Sequence, residues 1–152
     1  MMLSTSIFAQ NGQKSIDEAL NSMRDLDYTY YFEVSNEMFK MMSEAEGVDA
    51  QYKAYLSKLS SLKMVRAKNT TDKEKELYGI FMAEVNLKDY SMLMTSTEPN
   101  RKISFYKRTK NAVNQFLLVS NTNIIYITGT IDIKSLQEFE NVMNIAGRTV
   151  GF

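Results

Sequence analysis

The chain holds eleven methionines, and two groups of them have spacings that could do metal chemistry. Met38, Met41 and Met42 would lie within about one turn of a helix, and Met92 with Met94 on one face of a strand. Thioether sulfur is a soft donor and suits a soft ion such as Cu(I). No His or Cys stands anywhere in the chain to complete such a site. Met38 and Met41 also fall in phase with Phe39 and Met42 on the stripe expected to face inward. Methionine fills irregular cores readily, so core packing is the expectation, with no metal and no cofactor.

Other chemistries are weaker still. Asp25/Asp27, Glu44/Glu46 and Glu138/Glu140 are carboxylate pairs, but residues two apart on a helix do not face each other. Acid–base catalysis needs two carboxyls that converge in a cleft. Asp132 is better read as a residue leading into a helix than as a base. Neither a Gly-rich phosphate loop nor a Gly-x-Ser-x-Gly elbow occurs. With neither His nor Cys, nothing titrates near neutral pH without a strong shift. Asn69-Thr-Thr71 fits a glycosylation sequon but reads as a turn and helix cap. An enzyme is therefore not expected.

Two patterns point to binding instead. Arg101, Lys102, Lys107, Arg108 and Lys110 interleave with Phe105 and Tyr106, a basic stripe that could meet an anionic surface. The bland alternative is a solvated hairpin whose lysines discourage strand-to-strand aggregation. Net charge is zero, so no whole-chain field argues for nucleic acid, and none is expected as a partner. The charge is uneven, however: residues 1–50 carry nine acids and three bases, and residues 101–152 three acids and seven bases. Nine tyrosines mostly read as core-edge packing, with Tyr31 expected to be the exposed one and a contributor to an interaction surface.

The elements that would carry these residues follow from periodicity. Ser15-Ile-Asp-Glu18 is a capping box opening a helix with Ile16, Ala19, Leu20 and Met23 inward. Tyr28–Val34 alternates as a strand, and Ser35-Asn36 caps a helix that runs to Gly47. Residues 49–60 predict a short helix, Leu62–Lys68 a strand, and Thr71-Asp-Lys-Glu74 a helix with Leu77, Ile80, Phe81 and Val85 inward. Strands are expected at Tyr90–Ser96, Lys102–Arg108, Val113–Ser120 and Ile124–Thr130. The last two are apolar on both faces, which places them centrally in a sheet. A closing helix from Ser135 would bury Leu136, Phe139, Val142, Met143 and Ala146.

This order predicts an α+β fold: a single, mainly antiparallel sheet with helices packed on one face, and a C-terminal four-strand meander followed by a helix. A chain of 152 residues suits one domain, here 14–152. Residues 1–13 read as a signal-peptide remnant or disordered N-terminus. Met1-Met-Leu-Ser-Thr-Ser-Ile-Phe-Ala9 has the apolar run and small-residue junction of a signal, without a basic start. No apolar run approaches the roughly 20 residues of a membrane helix.

Several of these segments together resemble the family known as domain of unknown function 4252. They are the aromatic strand leading into a Met-rich helix (Tyr30-Tyr-Phe-Glu-Val-Ser-Asn-Glu-Met38-Phe-Lys-Met41-Met42), the Leu62-Lys-Met-Val strand, the long amphipathic helix, and the ending Ile-Ile-Tyr-Ile-Thr-Gly129-Thr-Ile-Asp132-Ile-Lys-Ser-Leu136. The resemblance covers roughly residues 14–147. It implies a small exported protein of Gram-negative bacteria, often lipid-anchored, with no established activity and no catalytic residues to carry over. This chain has no lipobox Cys.

The expected function is then a non-catalytic interaction or accessory module of the cell envelope, exported and periplasmic or outer-envelope associated, with cytoplasmic residence the alternative. Its partner would be an envelope protein or an anionic surface, and a homodimer could form through an edge strand. The rival is a small-molecule or lipid-binding domain with a cavity walled by Tyr30, Met41 and Met92.

Overall fold

The computed structural model of the protein describes residues 12–68 and 76–150, with side chains described as far as Asn144. The signal-like Met1–Ala9 stretch, the Asn69-Thr-Thr71 turn and the Thr71–Glu74 helix start lie outside the described residues, as does the side chain of Ala146.

Where helix starts are capped by side chains, the sequence supplies a serine. Helix α1 (Ile16–Arg24) opens on Ser15, whose hydroxyl accepts from Glu18 N–H while the Glu18 carboxylate accepts from Ser15 N–H. Its stripe Ile16, Ala19, Leu20, Met23 is buried as the spacing requires. After strand β1 (Thr29–Val34), Ser35 caps α2 (Asn36–Glu44). Helix α3 (Ala50–Leu56) is shorter than its sequence periodicity suggests, because β2 (Leu59–Ala67) already begins at Leu59. Helix α4 spans Leu77–Glu84, followed by β3 (Ser91–Glu98), β4 (Arg101–Lys110), β5 (Val113–Ser120) and β6 (Asn123–Gly129). The closing helix α5 (Leu136–Val150) is capped by the Ser135 hydroxyl, and the Glu138 carboxylate accepts from Lys134 N–H.

The strands form one six-stranded antiparallel sheet in the order β1-β2-β6-β5-β4-β3. The four-strand meander is therefore as the sequence predicts, and its doubly apolar strands β5 and β6 are the two central ones. The β4–β5 connection is a two-residue turn with Asn111 and Ala112 both at positive φ (54° and 65°), the backbone twist that such hairpins favour.

The layering differs from expectation. Helices cover both faces of the sheet, not one. On one face, α2, α3 and α5 enclose Leu62, Phe105, Phe116 and Ile127. On the other, α1 and α4 enclose Val65, Leu117, Val119 and Ile124. The reason is already in β5 and β6: strands apolar on both sides need cover on both sides, at about 25 cal/mol for each Å² removed from water. On the first face the Phe139 ring of α5 meets Phe105 edge-on at 5.0 Å, and Phe105 lies parallel to Phe116 at 5.9 Å. On the second face the cover is partial and leaves a polar strip.

Candidate functional site

The basic stripe does not form one surface. Along β4 side chains alternate, so Arg101 and Lys107 share the α2/α3/α5 face with Ile103 and Phe105. Lys102, Arg108 and Lys110 share the opposite face with Tyr106. Lys107 ion-pairs with Asp132 at 3.1 Å, and its ammonium lies 5.4 Å from the Phe116 ring centre. So Asp132 is tied to a strand, and Ser135 is the residue that starts the helix. Lys102 stands over Tyr78 at 5.8 Å, while its backbone N–H donates to the Asn121 side chain at 2.8 Å. Arg101 and Lys110 are exposed at the two ends of β4.

Tyr31 is half-buried, with the Arg24 guanidinium 4.4 Å over its ring. Burial and the nearby Glu33 charge raise its pKa. The exposed neighbour is Tyr30 instead, at 60%. Strand phase separates the two but does not tell which face a helix covers at a sheet edge. Several methionines depart from expectation in the same way. Met42 is buried, yet Met38 and Met41 are 45% and 65% exposed, because α2 buries only a narrow stripe through Phe39 and Met42. Met92 and Met94 do not share a face: a bulge sets Met92 opposite Tyr106 and Met94 opposite Phe105, which point to opposite sides. Met92 is 56% exposed and Leu93 49%. Tyr30, Met41 and Met92 therefore stand on the surface, the first on β1 and the last on β3 at the other edge of the sheet, and do not wall a common cavity.

What these residues form is two apolar edges. At β1, Phe32, Val34 and Met38 line an open depression of about 360 Å³ together with Glu33 and Ser35. At the opposite edge, Met92 and Leu93 project from β3, of which seven residues are exposed and only Met94 is half-buried. Sequence reading misses Leu93. Its signal is an apolar run, Met92-Leu-Met94, too long to fit strict alternation in an outer strand.

Between the edges, on the α1/α4 face, runs a polar strip. Ser61, Thr128, Gln115 and Arg108 follow one another across β2, β6, β5 and β4. Ser61 and Thr128 hydroxyls are 2.6 Å apart. Gln115 Oε1 accepts from Arg108 Nε (2.7 Å) and from the Tyr90 hydroxyl (2.9 Å), and Tyr90 reaches the Tyr126 hydroxyl at 3.3 Å. Burial, then the hydrogen bond with Tyr90, drives the Tyr126 pKa far upward, which makes it a poorer acid. Beside it Lys63 donates to Asp17 at 2.6 Å and lies 3.7 Å from Glu33. Burial opposes the Lys63 charge, but the Asp17 hydrogen bond and the two carboxylates outweigh it and raise its pKa. These groups satisfy one another. Among the described residues no set of three or more acidic, His or Cys side chains is placed to hold a metal ion, and no helix is long and apolar enough to cross a membrane.

The family model described as "Domain of unknown function (DUF4252)" matches residues 9–139, most of the chain and all six strands. The chain belongs to the DUF4252 family. No curated protein and no solved structure matches it. Membership of DUF4252 fixes no activity, so any function has to be argued from the two edges, the split basic hairpin and the polar strip of this DUF4252 chain.

Proposed function

We propose that this protein is a non-catalytic interaction module of the bacterial cell envelope, exported and periplasmic or outer-envelope associated. The observation that carries the reading is the pair of sheet edges bearing exposed apolar side chains: Tyr30 with Met38 and Met41 at one, and Met92 with Leu93 at the other. Free strand edges are templates for added strands, and proteins usually protect them. The absence of His and Cys supports the non-catalytic part. Export rests on the apolar Met1–Ala9 stretch and its small-residue junction.

A photo-crosslinking residue placed at Tyr30 or Leu93, and at the exposed control Glu140, tests this in the host cell. The expected result is a discrete protein adduct in the envelope fraction from at least one edge position and none from position 140. Adducts absent from both edges, or a chain confined to the cytosol, would refute it.

A further inference from the structure

We propose that the free edge of β3 docks an extended, acidic strand of a partner protein. This rests on the interaction-module reading and names the partner's chemistry. Strand β3 is eight residues long, and among the described residues no strand pairs with its outer side. From Ser91 to Thr97 it has no charge and no proline, the devices that ordinarily close an edge. Its bulge disturbs the start only, and Met94 to Glu98 keep unbroken register with Phe105 to Arg101. Five residues of regular edge remain available for main-chain pairing.

Charge decides what would pair there. Around this edge stand Lys88, Arg101, Lys102, Lys107, Arg108 and Lys110, against Asp89, Glu98 and the Asp132 that Lys107 holds. A second copy of the same edge would bring two basic sets together, which opposes a twofold β3–β3 pair. A lipid surface or a nucleic-acid duplex is met by one face of a hairpin. Here the cations are divided, Arg101 and Lys107 on one face and Lys102, Arg108 and Lys110 on the other. A strand added at the edge meets both sets, because its own side chains alternate between the faces. It would lie two strand spacings, about 9–10 Å, from β4, a gap that an extended Lys or Arg and a facing Glu can close. Met92 and Leu93 supply apolar contact beside the charges.

The probe is a capped peptide of repeating Glu-Glu-Val-Val, which sets Glu on both faces of a strand, matched in length to β3, with its Lys-Lys-Val-Val counterpart as control. Hydrogen exchange of the full chain is followed amide by amide at low salt. The outward-pointing amides of Met94–Glu98 are expected to slow at least about tenfold with the acidic peptide and not with the basic one, and the effect to fade with added salt. Arg101→Glu with Lys102→Glu, exposed on opposite faces beside the regular part of this edge, should weaken binding at least about tenfold while the fold is retained. Leu93→Glu, which removes the apolar contact and sets a like charge against the acidic strand, should weaken it independently. Equal protection by both peptides would overturn the acidic assignment and leave the interaction-module reading standing. Protection that grows with protein concentration alone would instead assign the edge to a second copy. Protection by phosphatidylglycerol vesicles but not by peptide would assign it to a lipid surface. No protection by any probe, together with no crosslink from position 93, would sink both the proposal and the wider reading at this edge.

Discussion

Gly129 and Gly79 give one substitution, Gly→Ala, with opposite expected signs. Gly129 ends β6, where that strand passes the Lys58–Leu59 backbone at the start of β2. A Cβ there would overlap the Lys58 carbonyl oxygen and press on Leu59 Cα. That same oxygen accepts from Thr130 N–H at 2.9 Å and Ile131 N–H at 3.3 Å. The obstruction is main chain, so it cannot be relieved by turning a side chain. Moving β6 away would sacrifice two hydrogen bonds at about 1 kcal/mol each, and the residual crowding adds about 1–3 kcal/mol. The expected loss is about 3–5 kcal/mol, a large share of the roughly 5–15 kcal/mol that holds a domain folded. At about 2–4 °C per kcal/mol, Tm should fall by roughly 6–20 °C. Gly79 is exposed within α4, and a methyl group on its Cα would meet open space, so alanine there should gain up to about 1 kcal/mol of helix propensity. Urea unfolding by far-ultraviolet circular dichroism on both variants gives the comparison. A Gly129→Ala midpoint at or above wild type would refute the close approach of β6 to Lys58, and with it the β2–β6 seam that joins β1–β2 to the meander.

Ala112 holds φ 65° in the β4–β5 turn, a conformation costing a non-glycine residue about 1–2 kcal/mol; after glycine's own entropic penalty, Ala112→Gly should raise stability by about 0.5–1 kcal/mol in denaturant titration. Tyr126 keeps its proton in the folded state while the unfolded chain ionises near pH 10, so its contribution is intact below about pH 10 and is lost as pH rises above it. Tyr126→Phe should therefore flatten the alkaline decline in stability, read from urea midpoints across pH, at the cost of the contact with Tyr90. Phe139→Ala should cost about 3–5 kcal/mol by the same unfolding assay, because α5 fixes Phe105 through that ring; a loss below about 1 kcal/mol would mean the helix is not docked there.

Local signals in the sequence carry well where the physics is local. The Ser15/Glu18 box forms as its spacing requires, and the double-sided apolarity of Phe116–Val119 and Ile124–Ile127 places β5 and β6 at the centre of the sheet. The departures concern which side of an element is covered. A helical stripe shows that Ile16, Ala19, Leu20 and Met23 are buried, but not on which sheet face. Counting faces resolves this, since strands such as β6 cannot leave Ile124 or Ile125 uncovered. Strict alternation puts Met92 and Met94 on one face, but one extra residue at a bulge reverses every face before it. The five basic residues of β4 are legible as a set, but their division between two faces follows from the strand itself and changes what they can bind.

That division also explains why the two edges need not share a partner. At β1 the charge is already answered within the chain: Glu33 faces Lys63, Arg24 covers Tyr31, and Lys68 lies 5.0 Å over the Tyr30 ring. What β1 leaves open is aromatic and apolar, with the depression at Phe32, Val34 and Met38 beside it. At β3, Lys107 has an acidic partner in Asp132 and Arg108 rests on Gln115 and Tyr90, while Arg101 and Lys110 stand exposed. Exposed charges of this kind contribute little to folding, typically within about 1 kcal/mol per pair, so packing gives no reason for so many of one sign at one edge. Association does give one, because like charge repels a second basic edge and opposite charge draws in and orients an acidic strand. The sheet is thus closed by helices where its strands are apolar on both sides and open where its outermost strands present complementary, and different, chemistry.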